Sequence, residues 1–528
     1  AGLAARSRGV VGPLAARQVA RRIVVYVVPV VLLVLAGGAA TLAGGYTGTA
    51  ERLRADVDVL TNGADVRVTA PESGRLDPAP FLPGGSGPGS TARAAAPVLS
   101  ATAYSDGLPV TMLALPAADV PKVVRAPEEV LDTAALSGEL ASDAFADAPA
   151  LAGDARDVTL TVSGRVHETV QADLADWASP HELDLSLLLA TPDGTVATVE
   201  LGQLSEGDGT GGTLGEDLVT RELTAALPAP PPGQAWRVAA LDVDVRSGWS
   251  VAEVSLAVDG ITAGGQDVEQ PRWTPSESFD GPPGLELTEG EAELTVELGD
   301  DASTAGKLRL LTASDVVPAP LLASSSLAGA LGVATGDTFE LTLGGTRLPV
   351  TVAATSGTVP GALAPYAAMV DRGALAAVLV REVSDPVLTS EVWLAAGPPG
   401  AAAPPVDVAV LAAAAEVSAE AAGTSSREQP AVTVPGYGSA DTAVPVRVSF
   451  WLAAAGAAVL ALAGVLAVAV ATLRERRGEV VVLRAVGLGP AAQGLARAAE
   501  LIVVGVVALA VGAVAGWGVA HLAAGGLA

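Results

Sequence analysis

Arg474-Glu-Arg-Arg-Gly-Glu-Val-Val-Val-Leu-Arg-Ala-Val-Gly-Leu-Gly-Pro490 is the stretch on which the fold turns. It runs on to Arg497 and Glu500. It lies between two apolar runs, Phe450 to Leu473 and Leu501 to Ala520, neither of which holds a charged residue. At about 1.5 Å per residue, either run is long enough to cross a hydrocarbon core of about 30 Å. The basic stretch therefore reads as a loop at one face of a membrane.

Working outward, a third apolar run, Ile23 to Ala43, follows a basic segment that carries Arg6, Arg8, Arg17, Arg21 and Arg22 and no acid. It is longer than the 7–15-residue core of a signal peptide, so it reads as a true span, with Pro29 tolerated inside it. Arginine marks the cytoplasmic side. Both the N-terminal arginines and Arg474, Arg476, Arg477, Arg484 and Arg497 then fall inside. The simplest topology is one span out, about 400 residues outside, and one span back. The expected layout is a cytoplasmic segment 1–22, spans at 23–44, 449–473 and 500–522, and a cytoplasmic coupling loop at 474–499. Tyr46, Trp451 and Trp517 fall near the outer interface, where amphipathic rings are favoured.

The composition fits this division. The chain has 528 residues, half of them hydrophobic, yet a net charge of −28. One soluble domain would not combine these, whereas membrane spans attached to a large acidic outer part would. The acidic balance argues against nucleic-acid binding, which needs clustered Lys and Arg. Cysteine is absent, which excludes disulfides and thiolate metal sites.

The outer part reads as an α+β domain in two pieces, 45–154 and 263–448, around an inserted β-sandwich of jelly-roll type at 155–262. Within the insert, Val158–Val162, Leu183–Leu189, Val196–Leu201, Leu218–Leu223, Trp236–Val245 and Val251–Val258 alternate apolar and polar residues, with Gly, Pro and Asp between them. Short strands at that spacing suggest a sandwich. Around it, strands are expected at 65–69, 98–103, 110–115, 291–298, 308–312 and 391–394. Phe339 to Val352 should form a hairpin turning at Gly344-Gly345. Helices are expected at 126–140, 321–331, 370–380 and 406–422. The fold class is thus a membrane protein with α-helical spans and a large extracytoplasmic α+β domain carrying a β-sandwich.

Three pieces of sequence resemble the FtsX-like (MacB-type) permeases of ABC transporters. The loop Arg476-Arg477-Gly478-Glu479, Val480 to Gly487, and Leu488-Gly-Pro-Ala-Ala-Gln493, with Glu500 entering the next span, is similar to the family's cytoplasmic element. Val317 to Leu322, Leu331 to Thr338, Leu348 to Val352 and Val359-Pro-Gly361 look like its outer domain. The order of one span, a large outer domain and then clustered spans is also the family's. The resemblance implies a plasma-membrane permease that is not itself an enzyme. ATP would be hydrolysed by a separate ATPase, and closure of that ATPase would move the outer domain, for export or extraction of a substrate or for mechanotransmission. It also implies a second permease half or a homodimer partner in the bilayer. Family units carry four spans, and actinobacterial members carry a second set, so this chain is expected to be a piece of a longer one.

Candidate coupling residues are Arg474, Glu475, Arg476, Arg477, Glu479, Arg484, Gly487, Leu488, Pro490, Leu495 and Glu500. Gly487 to Pro490 should break one helix, and Pro490 suits the first turn of the next. The helix Ala491 to Ala499 should lie at the membrane face, shaped to enter a groove on a cytoplasmic partner. Other chemistry is thin. No Gly-x-x-x-x-Gly-Lys-Ser/Thr loop occurs, so no nucleotide site of that type is present. His167, His181 and His521 are too scattered for zinc. Glu206, Asp208, Glu216 and Asp217 offer the oxygen donors calcium prefers. Without EF-hand spacing, that loop reads as solvated. The alternative function is a membrane-anchored surface protein whose sandwich binds glycan or another cell-wall ligand. Trp177, Trp236, Trp249 and Trp273 would then stack on sugars, although Trp236 and Trp249 suit the sandwich core better.

Overall fold

The computed structural model describes residues 23–71, 75–85, 87–168, 182–204, 217–246, 252–276, 285–287, 293–298, 305–312, 317–397, 406–422, 429–436, 441–475 and 490–525. The chain forms two units. One comprises Ala1–Val57 with Gly438–Ala528, and the other is Asp58–Tyr437.

The first unit is helical. Helix α1 (Ile23–Asn62) carries Pro29 within it and runs on into the second unit, and two further long helices follow near the chain's end, Val444–Glu475 and Pro490–Gly525. Each contains a segment long and apolar enough to cross a membrane: Val27–Asn62, Val444–Ala471 and Leu501–Leu522. Glycine lets them approach. A Cβ on Gly512 would overlap the Val34 carbonyl, and one on Gly516 would lie 2.6 Å from the carbonyl oxygen of Gly38. A Cβ on Gly464 would meet Leu32 at 3.1 Å. Small residues at such crossings are how helices pack where burial from water offers no drive. Tyr46 packs on Phe450 with ring centroids 5.1 Å apart, and the Trp451 indole donates to Thr47 Oγ1 at 3.2 Å.

The second unit is α+β. In chain order its body contains β1 (Val66–Thr69), β2 (Ala94–Ser105) and β3 (Leu108–Leu115), then helix α2 (Thr133–Leu140). The insert follows with β4 (Asp157–Glu168), β5 (Glu182–Ala190), β6 (Val196–Leu204), β7 (Val219–Ala226), β8 (Arg237–Arg246), β9 (Ala252–Ala263), β10 (Gln266–Asp267), β11 (Thr274–Pro275), β12 (Leu285–Leu287), β13 (Glu293–Leu298) and β14 (Ala305–Leu311). The body resumes with β15 (Ala319–Ser324), helix α3 (Ser325–Leu331), β16 (Thr338–Leu343), β17 (Thr346–Ser356), β18 (Ala367–Asp371), helix α4 (Arg372–Glu382), β19 (Glu391–Ala395), helix α5 (Val408–Ala422) and β20 (Ala431–Thr433). The two long helices named above are α6 (Val444–Glu475) and α7 (Pro490–Gly525).

The body strands form one mixed sheet in the order β16-β17-β15-β18-β3-β2-β19-β1-β20. Local chemistry explains its corners. Gly344 and Gly345 take positive φ at the β16–β17 turn, as do Asp106 and Gly107 between β2 and β3. Such turns match the natural twist of a hairpin. Asp132 caps α2 by accepting from Ala134 N and Ala135 N at 3.0 Å, and Ser324 caps α3 by accepting from Leu327 N at 3.2 Å.

The insert is built of two antiparallel sheets, β12-β13-β9-β4-β7 with β10 on β9, and β11-β14-β8-β5-β6. Their inner faces share one apolar core, including Leu160, Leu187, Leu201, Trp236, Leu256, Trp273 and Leu308.

Several expectations change. Strand pairing carries the insert past residue 262, since β13 pairs with β9 and β14 with β8. Segment 321–331 is not one helix but the end of β15 followed by α3. The helix expected at 126–140 begins only at Thr133, where Asp132 supplies the cap. Ala491 to Ala499 is not a separate short helix, because α7 runs unbroken from Pro490 to Gly525. No proline interrupts it, and its alanines favour helix.

Candidate functional site

Of the residues expected to couple to a partner, Arg476, Arg477, Glu479, Arg484, Gly487 and Leu488 lie outside the described residues. The flanks are placed. Arg474 is exposed in the last turn of α6, and Glu475 ends that helix. Pro490 opens α7, where a missing N–H leaves no helical bond unmade. Glu500 lies within α7, one residue before the apolar window Leu501–Leu522. Leu495 is 72% exposed, before that window starts. A bare leucine there suits contact with another surface.

The strands at the two ends of the body are described. β1 is the first strand after the first helix and β20 the last element before α6. They are sheet neighbours, paired antiparallel with Arg67 opposite Thr433 and Val68 opposite Val432. The first and last strands of the body in chain order are therefore neighbours in its sheet. Side chains reinforce the pair. Thr433 Oγ1 donates to Asn62 Oδ1 at 3.0 Å, and Asn62 Nδ2 donates to Ala64 O at 2.7 Å.

Around this entry lies a polar hub. Arg67 donates to Gly361 O at 3.0 Å and to Glu391 Oε1 at 2.5 Å, and its guanidinium sits 5.7 Å from the Trp393 ring centroid. Trp393 Nε1 donates to Glu391 Oε2 at 2.9 Å. Gly63 and Gly361 both have positive φ, and a Cβ on either would run into Trp393. Gly361 N in turn donates to Leu60 O at 2.7 Å, which ties the end of α1 to this loop. A second pair guards the same turn: Arg125 binds both oxygens of Asp65, at 3.0 and 2.9 Å. Paired charge-assisted bonds of this kind set orientation as well as energy.

Within the helical unit, Arg447 binds Glu51 at 3.2 Å and Asp441 at 2.5 Å, and Arg54 binds Asp441 at 2.9 Å. These groups are partly exposed, so each pair contributes at most about 1 kcal/mol. Their effect is to tie α1 to the segment entering α6.

Sequence reading missed a second junction, at helix α4. Asp371 caps α4 through Ala374 N at 3.1 Å and also accepts from Ala117 N at 2.9 Å and from Ser142. Burial pushes its carboxyl above the ordinary aspartate range, against the pull of those hydrogen bonds and of Arg372. Arg372 is buried, which lowers its pKa, while Asp193, Asp371 and Asp119 oppose the shift.

The remaining candidates do not assemble. Glu206, Asp208 and Glu216 lie outside the described residues, and Asp217 is exposed. Among the described residues no group of His, Asp and Glu is arranged to hold a metal ion. Trp236 and Trp273 are buried in the sandwich core and give no platform for a sugar, while Trp177 and Trp249 lie outside the described residues. A shallow groove of about 580 Å³ lies between β6 and β7, lined by Thr198, Glu200, Ala225 and Pro228 among others. Compared with protein families, with curated proteins and with solved structures, the chain matches none of them.

Proposed function

We propose that this protein is the membrane subunit of an ATP-driven machine, in which a separate ATPase binds the 474–500 element and its motion is carried to the outer α+β body. The spans bring the work across the bilayer, and the body performs it outside. The observation that favours this reading is the pairing of β1 with β20. A protein that only needs an anchor has no use for two membrane connections joined at one point of its body. Paired connectors deliver the displacement of both helices to the same edge of the same sheet. The hub of Arg67, Glu391 and Trp393 then resists shear at that edge.

The loop pattern supports the partner's chemistry. Arg474, Arg476, Arg477 and Arg484 match an acidic groove, and Leu488 and Leu495 match apolar contacts within it. The test is purification of the tagged chain from its own membranes. The reading expects a second polypeptide with nucleotide-dependent ATPase activity to come with it. Recovery of the chain without any such activity would count against it.

A further inference from the structure

The insert is not hung on the body by two peptide linkers; it grips both ends of one helix. At the N-terminus of α4, the β5–β6 turn of the insert sits on Arg372. Arg372 Nη1 donates to Asp193 O at 2.9 Å and to Thr195 Oγ1 at 3.3 Å, while its Nε donates to Leu388 O of the body at 3.0 Å. The fit leaves no space: a Cβ on Gly194 would strike the Arg372 carbonyl, and a Cβ on Gly373 would strike the Pro192 carbonyl.

At the C-terminus of α4, Arg309 reaches across from β14. It pairs with Asp242 opposite it on β8, at 2.5 and 2.7 Å, and donates to the carbonyls of Val380, Val383 and Ser384 at 2.6, 2.7 and 3.1 Å. Both side chains of that ion pair are fully buried. A cation placed on the last carbonyls of a helix also answers the helix dipole. Ser276 of the insert adds a hydroxyl bond to Arg381 O.

Between the two grips the contact is apolar. Leu188, Ala190, Ala239, Ala240 and Leu311 of the insert belong to the same core as Leu375, Val378 and Leu379 of α4. That explains why α4 is buried almost all round: one side faces the body sheet and the other faces the insert.

We infer that the sandwich is a fixed arm of the body, locked to it through the two ends of α4, so that any movement of the body is delivered to the tip of the insert without a hinge between them. The joint centres on three buried charged groups, Arg372, Arg309 and Asp242, unlike the exposed, more polar contacts that permit domains to move independently. This inference does not depend on the ATPase partner, and its failure would leave that reading standing.

The experiment uses the full chain in lipid nanodiscs. The sequence has no cysteine, so Glu222→Cys on the insert and Thr335→Cys on the body, both exposed, take spin labels cleanly. Electron–electron distance measurement should give one narrow peak. Asp242→Asn with Arg309→Met removes both buried charges together, and Gly194→Val attacks the opposite grip. Each should abolish the single peak while the far-ultraviolet spectrum is retained. A broad or double distribution in the otherwise unaltered chain would overturn the inference, whether or not the variants fold. So would a peak that stays narrow in both folded variants.

Discussion

Thr433 and Asn62 stand 371 positions apart in sequence, yet the hydroxyl of one donates to the side-chain oxygen of the other at 3.0 Å. Asn62 is the last residue of the first long helix, and Thr433 is the last residue of the strand before the second. One hydrogen bond thus joins the way in to the way out. Thr433→Val removes the donor and leaves Asn62 able to bond only through Ala64. The expected cost is about 1 kcal/mol of stability of the α+β unit, read as a small fall in melting temperature. Any coupled activity should fall by more than that loss of stability explains.

The Arg67 hub should be far less tolerant. Glu391 is almost fully buried and accepts from both Arg67 and Trp393. Glu391→Ala leaves a guanidinium and an indole N–H without their shared acceptor, and the expected loss is about 3 kcal/mol. Arg67→Met in the same chain removes the stranded charge and should restore part of it. Chemical denaturation of the two variants checks both signs.

Gly361 has φ of +83°, and a Cβ there would collide with the Trp393 ring. Gly361→Ala is therefore strained in backbone and in packing at once, and should destabilise by about 2–4 kcal/mol. Gly332, with φ of +69° but open space around it, provides the control. Gly332→Ala should show the backbone term alone, about 1 kcal/mol.

Asp371 gives the α+β unit a pH signature. Its carboxyl is raised by burial, so the folded chain holds a proton that the unfolded chain has already released. Stability from this group is present below the ordinary aspartate pKa and is lost as pH rises through the raised one. Asp371→Asn abolishes that decline, at the expense of a constant penalty for an altered cap. The difference in melting temperature between variant and wild type should move in favour of the variant as pH rises across that window, then level off. A flat difference would show that Asp371 is not the group responsible.

Much of this architecture was legible in the residues. The uncharged runs 450–473 and 501–520 announced two long apolar helices, and Gly344-Gly345 announced its hairpin. What was misread had physical causes. Ala319 to Leu331 is apolar throughout its first half, and a short buried strand cannot be told from a buried helix by periodicity. Ser324, serving both as strand end and as cap, hides the boundary. The end of the insert was missed because β13 and β14 pair with strands far back in the chain, from Glu293 opposite Ala257 to Leu311 opposite Ala240. Arg309 and Asp242 drew no attention in the sequence, because a charge on a strand ordinarily faces water, whereas here Arg309 meets the carbonyls at the end of helix α4. Only a charge inside the run Leu308-Arg-Leu-Leu311 hinted at it.

The glycine contacts of the helical unit offer a check on its packing. Gly512→Leu would force the side chain into the backbone at Val34. In detergent, the variant should lose heat resistance of the helical unit while the α+β unit melts unchanged. If both units kept their melting points, the close crossing of α1 and α7 would be wrong.

If the 474–500 element receives work from an ATPase, as proposed, that ATPase should travel with the chain. The most direct measurement is the ATPase activity of the complex recovered with the tagged chain in nanodiscs, compared with the Leu488→Asp, Leu495→Asp variant. The wild-type chain should bring an ATPase with it. The variant should lose both the partner and the activity, while its α+β unit melts as before. Full recovery of partner and activity with the variant, or the absence of any ATPase from the wild-type complex, would contradict it.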